Sequence, residues 1–348
     1  SKGFTWHEFL NSLVFEYDKN QISIDSKYFF SPIEPFDLKE PMFYRRSQKD
    51  SIDYKQYNSE YFNSAVRVIA AGAKIKVQKN EKDGLNIIDN EERFHDEWAR
   101  KEDFKEIDLK KRNEALTAPE MRYIIAKLGD LSGKSLLDVG CGLGEASVYF
   151  ALKGATVTSS DLSSEMLNNT RNLAKYHNVQ VSTHVASSDN VELESNSFDI
   201  IYAGNLMHHV DIQSTVIQLK RLLKPDGVLV TWDPLAYNPI INVYRKIATE
   251  VRTPDEHPFT LADINFFKKH FKDVKTKYFW LTTLVIFILM YFKQKKNPNK
   301  DRFWKVVVDE SESWERLYKP LEKFDKFILK VLPPLRLLCW NIVIFAKK

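Results

Sequence analysis

Between residues 135 and 234 the chain alternates between runs suited to strands and runs with helical apolar spacing, and no other feature restricts its architecture as strongly. SLLDVG, TVTSSD, VQVSTHVA, SFDIIYAGN and VLVTWDP read as strands, while EASVYFALKG, SEMLNNTRNLAKYHN and IQSTVIQLKRLLK read as the helices between them, with PDG as a turn before the fifth strand. Strands joined through helices pair in parallel and are covered on both faces, which predicts a doubly wound α/β core. TLADINFFKKHF continues as a helix, KDVKTKYFW as a sixth strand and WNIVIFAKK as a short last strand. Upstream, NEERFHDEWARKEDF and TAPEMRYIIAKL predict two helices, the second with Thr117 as its cap and Pro119 in its first turn. Residues 1–90, rich in aromatics and charges, form an accessory region of no assignable fold.

The first strand runs into DVGCGLGEAS, which places Asp138, Gly140, Gly142 and Gly144 where strand gives way to helix. Glycines there allow a tight turn and the close approach of a ligand. The spacing is G-x-G-x-G, with Glu145 where dinucleotide-binding loops favour a last glycine. Asp138 and Glu145 would repel a pyrophosphate and attract an ammonium or sulfonium group, so the charges favour S-adenosylmethionine over NAD. Asp161 ends the second strand, where a carboxylate can accept both ribose hydroxyls.

LLDVGCGLGEAS, TSSDLSSEML, SFDIIYAGNLMHHV and LLKPDGVLVTWDP occur in the order and spacing of a class I S-adenosylmethionine-dependent methyltransferase of the small-molecule type, which residues 92–346 resemble. DPLAYNP and TPDEHP resemble segments of bacterial methyltransferases of unassigned acceptor. The resemblance implies a seven-stranded sheet in which the seventh strand inserts antiparallel beside the sixth. With residues 340–346 as that strand, a methyltransferase domain at 91–348 carries a helical cap insertion at 281–335. It further implies that Asp138 and the glycines hold the methionine part, that Asp161 and Leu162 lie at the ribose, and that Asn205 lies near the methyl end. The adenine segment is VASSDN, where many relatives carry an acid at the position of Ser187; Ser187, Ser188 and Asp189 are all candidates for the adenine amino group.

Methyl transfer is an in-line displacement in which positioning supplies much of the rate, and a base is needed only when the acceptor must lose a proton. The loops after the fourth and fifth strands should face the methyl group. There, His208 and His209 are the first candidates for base or acceptor orienter, since imidazole titrates near neutrality. Tyr237 and His257 follow, ahead of Asp233, Tyr244, Arg245 and Glu256. His95, Trp98, Glu120 and Arg122 sit where related enzymes cover the cofactor. Cys141 is expected to be a small loop residue, because no activating partner for a nucleophile is evident. No metal site is expected.

Composition narrows the acceptor. The 51 basic and 47 acidic residues of this 348-residue chain leave a net charge of +4 with no basic arm, and no N-P-P-Y type motif occurs, so nucleic acid is an unfavoured partner. Two cysteines and an opening without a basic, apolar leader fit a cytoplasmic protein. The apolar run YFWLTTLVIFILMYF stops at Lys293, short of the about 20 residues a spanning helix needs. The insertion is therefore expected to roof an apolar acceptor pocket, to rest on an anionic membrane surface, or both. The leading expectation is methylation of a lipophilic or aromatic small molecule, at oxygen before nitrogen or carbon. The alternatives are a nucleic-acid or protein methyltransferase that uses residues 1–90 for recognition, and a non-catalytic scaffold.

Overall fold

Leu136 and Leu137 face opposite sides of one sheet, and both are fully buried, so the sheet is covered by helices on each face. The computed structural model describes residues 14–17, 22–25, 93, 95–100, 102–248 and 256–348. The chain divides into two units, Lys2–Ile88 and Asp89–Lys348. In the first, strands β1 (Val14–Tyr17) and β2 (Ile22–Asp25) pair antiparallel. The rest of the expected accessory region lies outside the described residues, as do residues 249–255.

The second unit begins with helical residues 95–100, α1 (Leu109–Glu114) and α2 (Pro119–Leu128). The core then runs β3 (Ser135–Val139), α3 (Glu145–Leu152), β4 (Thr156–Asp161), α4 (Ser164–Tyr176), β5 (Val181–Val185), β6 (Phe198–Gly204), α5 (Ile212–Leu222), β7 (Leu223–Pro234), α6 (Pro239–Ile247), α7 (Leu261–His270) and β8 (Asp273–Phe279). β9 (Asn341–Lys347) completes a seven-stranded sheet of order β5-β4-β3-β6-β7-β9-β8. β3 to β7 pair in parallel, while β9 lies antiparallel between β7 and β8. Strand order reverses between β3 and β6, which places a crevice at the carboxyl ends of those strands.

Local chemistry fixes most boundaries. Ser163 caps α4 through Met166 N–H, Asp211 caps α5 through Ser214 N–H, and Thr260 with Asp263 forms a capping box on α7. Two local readings are corrected. Thr117 does not cap α2, whose N-cap is Ala118; its hydroxyl donates instead to Val307 O at 2.7 Å, tying α2 to the insertion. The PDG segment is no separate turn. It bulges within β7, where the register jumps from Phe198 opposite Leu223 to Ile200 opposite Val228, and Asp226 takes a φ of 66°.

Between β8 and β9 the chain makes a 3-10 turn (Thr282–Leu284), then α8 (Val285–Phe292), α9 (Phe303–Asp309), α10 (Ser311–Val331) and a second 3-10 turn (Pro333–Leu338). The apolar run after β8 turns inward: Trp280, Leu284, Phe287 and Met290 pack with Phe303, Val307, Trp314 and Tyr318 in a core of their own. Among the described residues no helix is long and apolar enough to cross a membrane.

The turn into this insertion is held by one buried carboxylate. Asp325 of α10 accepts from the backbone N–H groups of Leu281 (3.2 Å), Thr282 (2.9 Å) and Thr283 (3.3 Å) and from the hydroxyls of Thr282 (2.5 Å) and Thr283 (3.0 Å). Truncation strands these donors in a buried setting, where unmet hydrogen bonds are costly. Asp325→Ala is expected to lower unfolding stability by about 2–4 kcal/mol in urea titration, with Asp325→Asn losing less because it keeps an acceptor. Equal stability of Asp325→Ala and the parent chain would show that the cap is dispensable.

Candidate active site

The glycine loop is built without help from a ligand. Gly140 N–H and Cys141 N–H both donate to Ser160 O, at 2.7 and 3.1 Å, and Gly142 N–H donates to Asp161 Oδ2 at 2.9 Å. A Cβ on Gly140 would lie 2.6 Å from Leu206 Cδ1, and one on Gly144 would lie 2.6 Å from Thr170 Oγ1. Those two glycines permit close packing. Gly142 differs: its φ is 53° and a Cβ there would meet nothing within 4 Å, so it faces open space. Cys141 is half-buried, and burial together with the nearby Asp161 and Asp138 pushes its thiol up, away from the thiolate form.

Two carboxylates, Asp138 and Asp161, lie beside this opening, and a third, Glu145, begins the helix that follows. Asp138 is buried and accepts from Ser147 Oγ at 2.5 Å; burial pushes its carboxyl up to about 7, and the charge of Asp161 adds to the rise. Asp161 is also raised by burial, although its two oxygens accept from Gly142 N–H and Ser163 N–H. Each carboxylate oxygen can accept more than one hydrogen bond, so Asp161 retains capacity for hydroxyl donors. Glu145 at the start of α3 is half-buried, and burial raises its carboxyl against the pull of Arg112, whose Nε lies 3.5 Å from Glu145 Oε1 in an ion pair.

At the next strand end, Ser187 Oγ donates to Asp189 Oδ1 at 2.5 Å on the outer side of the loop. Ser188 turns inward and shares a 3.1 Å hydrogen bond with Thr215 Oγ1. Asn205 is exposed just beyond β6, with a φ of 56°, and its N–H donates to Trp232 O at 2.7 Å.

The predicted imidazoles converge. His208 is buried, and its Nδ1 shares a 2.9 Å hydrogen bond with Asp233 Oδ1, which also accepts from His208 N–H at 3.2 Å. Asp233 Oδ2 accepts from Thr231 Oγ1 at 2.5 Å, and burial raises the Asp233 carboxyl well above its ordinary range. The His209 ring lies 4.0 Å from that of His208 and 6.5 Å from that of His95. His257 N–H donates to His208 O at 2.8 Å. His208, His209 and Glu256 bring ligand atoms within 4.8 Å of one another, a spacing that could hold a metal ion.

The Tyr237 hydroxyl accepts from Leu261 N–H at 2.9 Å, at the start of α7. Arg245 donates to Asn242 Oδ1 and Leu235 O, and Tyr244 packs against Phe303. Trp98 lies under the Arg302 guanidinium at 4.0 Å, and Arg122 pairs with Glu322 at 2.8 Å, so both join the domain to its insertion.

Sequence reasoning passed over the pairing of Glu120 with Asn341. Asn341 Nδ2 donates to Glu120 Oε1 at 2.8 Å, while Asn341 Oδ1 is buried without a partner among the described residues. No local pattern marks it, because the two residues are 221 positions apart. Burial pushes the Glu120 carboxyl up to about 7, against hydrogen bonds from Asn341 and Trp280.

Residues 137–231 match the family described as a methyltransferase domain. The sheet order and the glycine loop give the α/β unit the class I methyltransferase fold, and the family match lies within that unit. Among curated proteins, the chain is 35% identical over 149 residues to a ubiquinone biosynthesis O-methyltransferase of Haemophilus ducreyi, covering 40% of this chain and 59% of that protein. It is 38% identical over 117 residues to the enzyme of the same name from Xanthomonas oryzae pv. oryzae, covering 33% and 48%. The chain thus spans about half the length of the curated relatives it matches. Similar solved structures include a putative sarcosine dimethylglycine methyltransferase from Galdieria sulphuraria, at 16% identity, 65% and 83% coverage and a TM-score of 0.44. A phosphoethanolamine N-methyltransferase 2 from Haemonchus contortus is 20% identical, at 65% and 51% coverage and a TM-score of 0.44.

Glu120 yields a pH prediction. Its carboxyl binds a proton more tightly in the folded chain than in the unfolded one, so folding loses stability as pH rises from the ordinary glutamate range through about 7. Glu120→Gln, which stays neutral, should escape that loss. Its stability relative to the parent is expected to improve by on the order of 2–3 kcal/mol between about pH 5 and about pH 8 in urea titrations. A difference independent of pH would place the titration elsewhere.

Proposed function

We propose that the protein transfers the methyl group of S-adenosylmethionine to an oxygen of a lipophilic small molecule. The observation that carries the reading is the seat formed around Gly142. A backbone position that faces open space has the buried carboxylates of Asp161 and Asp138 beside it, and this suits a cationic ligand with ribose hydroxyls. Asp161 and the Leu162 backbone would hold the ribose, Asp138 and Glu145 would favour the positive methionine end, and Ser187 with Asp189 would meet the adenine amino group. Asn205 would border the methyl. The bound cofactor supplies a carbon already activated by its sulfonium.

The accepting oxygen is supported by the curated relatives, which are named for O-methylation in ubiquinone biosynthesis. A hydroxyl acceptor must lose a proton, and the His208–His209 pair, in the loop after β6, would take it. Asp233 fixes the His208 ring through Nδ1, so that Nε2 is the atom to which the proton would pass. The modest net charge and the absence of a basic arm give no support to a nucleic-acid acceptor.

Incubation with labelled cofactor and a solvent extract of the source cells should place label in the organic phase; label confined to RNA or protein would refute the acceptor class. Gly142→Leu is expected to abolish cofactor binding by calorimetry, since its side chain would fill the seat. His208→Ala should keep that binding but lower kcat by roughly 10²–10⁴-fold. An unchanged kcat would remove His208 from the chemistry.

A further inference from the structure

Helix α10 buries Trp314, Tyr318 and Asp325 on one side, yet Phe324, Phe327 and Val331 stand on another side at 49, 62 and 54% exposure. Their spacing makes them neighbours on one helical face. Leu332 continues the strip past the end of the helix, and Leu338 lies exposed after the 3-10 turn. Leu338 O accepts from Asn238 Nδ2 at 2.5 Å, and Asn238 is the N-cap of α6. That helix carries its own exposed stripe, Ile240, Val243 and Ile247, while Ile241 packs into the core of the insertion. The hydrogen bond therefore joins two apolar stripes through the turn between them. Both begin at the carboxyl edge of the sheet, since α6 follows β7 and β9 starts at Asn341 opposite Pro234.

Charge along α10 specifies what this face meets. Its acids are already matched: Glu312 with Lys111, Glu315 with Lys319, and Glu322 with Arg122 and Lys326. Arg316, Lys323 and Lys330, seven residues apart and so on one flank of the apolar stripe, have no acidic partner among the described residues. Exposed aromatic and aliphatic side chains beside a row of uncompensated cations match the boundary between acyl chains and anionic headgroups. A partner copy packed antiparallel across this face would bring one cationic row against another.

We infer that the face formed by α10, the following 3-10 turn and α6 docks on an anionic lipid bilayer, with the carboxyl edge of the sheet turned toward it. Docking needs no acceptor. Delivery of a lipophilic acceptor from the bilayer to the site rests on the O-methylation reading given above.

The test is sedimentation of the full chain with phosphatidylcholine vesicles, with and without phosphatidylglycerol, in the absence of cofactor and acceptor, so that its result is independent of methyl transfer. The parent chain is expected to bind the phosphatidylglycerol vesicles and to lose binding with added salt. Lys323→Glu with Lys330→Glu should weaken partitioning at least tenfold, at roughly fivefold per cation removed. Phe324→Asp with Phe327→Asp should abolish it, while both variants keep the parent's thermal unfolding and cofactor binding. Absence of binding by the parent chain, or parent-like binding by both variants, would overturn the inference. So would a parent chain that ignores vesicles but dissociates from dimer to monomer on Phe324→Asp with Phe327→Asp, since the face would then belong to a second copy.

Discussion

The seven residues of β9 pair on both sides, antiparallel to β7 and to β8, and the arrangement of the site depends on that double pairing. Because β9 lies between strands that precede it, everything from Trp280 to Trp340 must leave the sheet at one strand end and return beside it. The excursion is thus anchored at both ends within one strand spacing. Trp340 N–H donates to Trp280 O at 2.9 Å, which closes its base directly. The same insertion sets Asn341 against Glu120, brings Val307 O to Thr117 and places Arg302 on Trp98. A strand that adds only seven residues to the sheet therefore decides where some sixty others lie.

The site combines rigidity with unresolved charge. Backbone hydrogen bonds to Ser160 and Asp161 set the glycine loop in place before any ligand arrives, so little ordering cost remains to be met on binding. The acids beside it are different, since burial has raised Asp138 and Asp161 together. Carboxylates gathered in this way are costly to keep ionised unless a positive group joins them. On the other face of the sheet, Asp233 spends its hydrogen-bonding capacity on Thr231 and His208, and so orients an imidazole.

Much of this was legible locally. Strand and helix alternation announced the parallel core, and the residues of the glycine loop and of Asp161 carried their own positional logic. The antiparallel last strand and the helical insertion were readable because the resemblance supplied an order in which to place β-rich residues after a helix. Contacts across long separations were not readable. Asp325 meets Leu281, Thr282 and Thr283 only because α10 folds back over the exit from β8, and nothing near Asp325 in sequence marks it as a cap. His208 and Asp233 were both candidates, yet their pairing required β7 to lie beside the loop after β6. Tyr237 looked available because a tyrosine in a loop carries no sign that a later helix will claim its hydroxyl.

The pairing of Asp138 with Asp161 has a consequence for selectivity. Burial and the second negative charge together make these acids costly to ionise while the seat stands open. With the cofactor seated as proposed, a positively charged ligand would relieve that cost, whereas an uncharged molecule of the same shape would not. The loop would thus choose among ligands by charge as well as by fit.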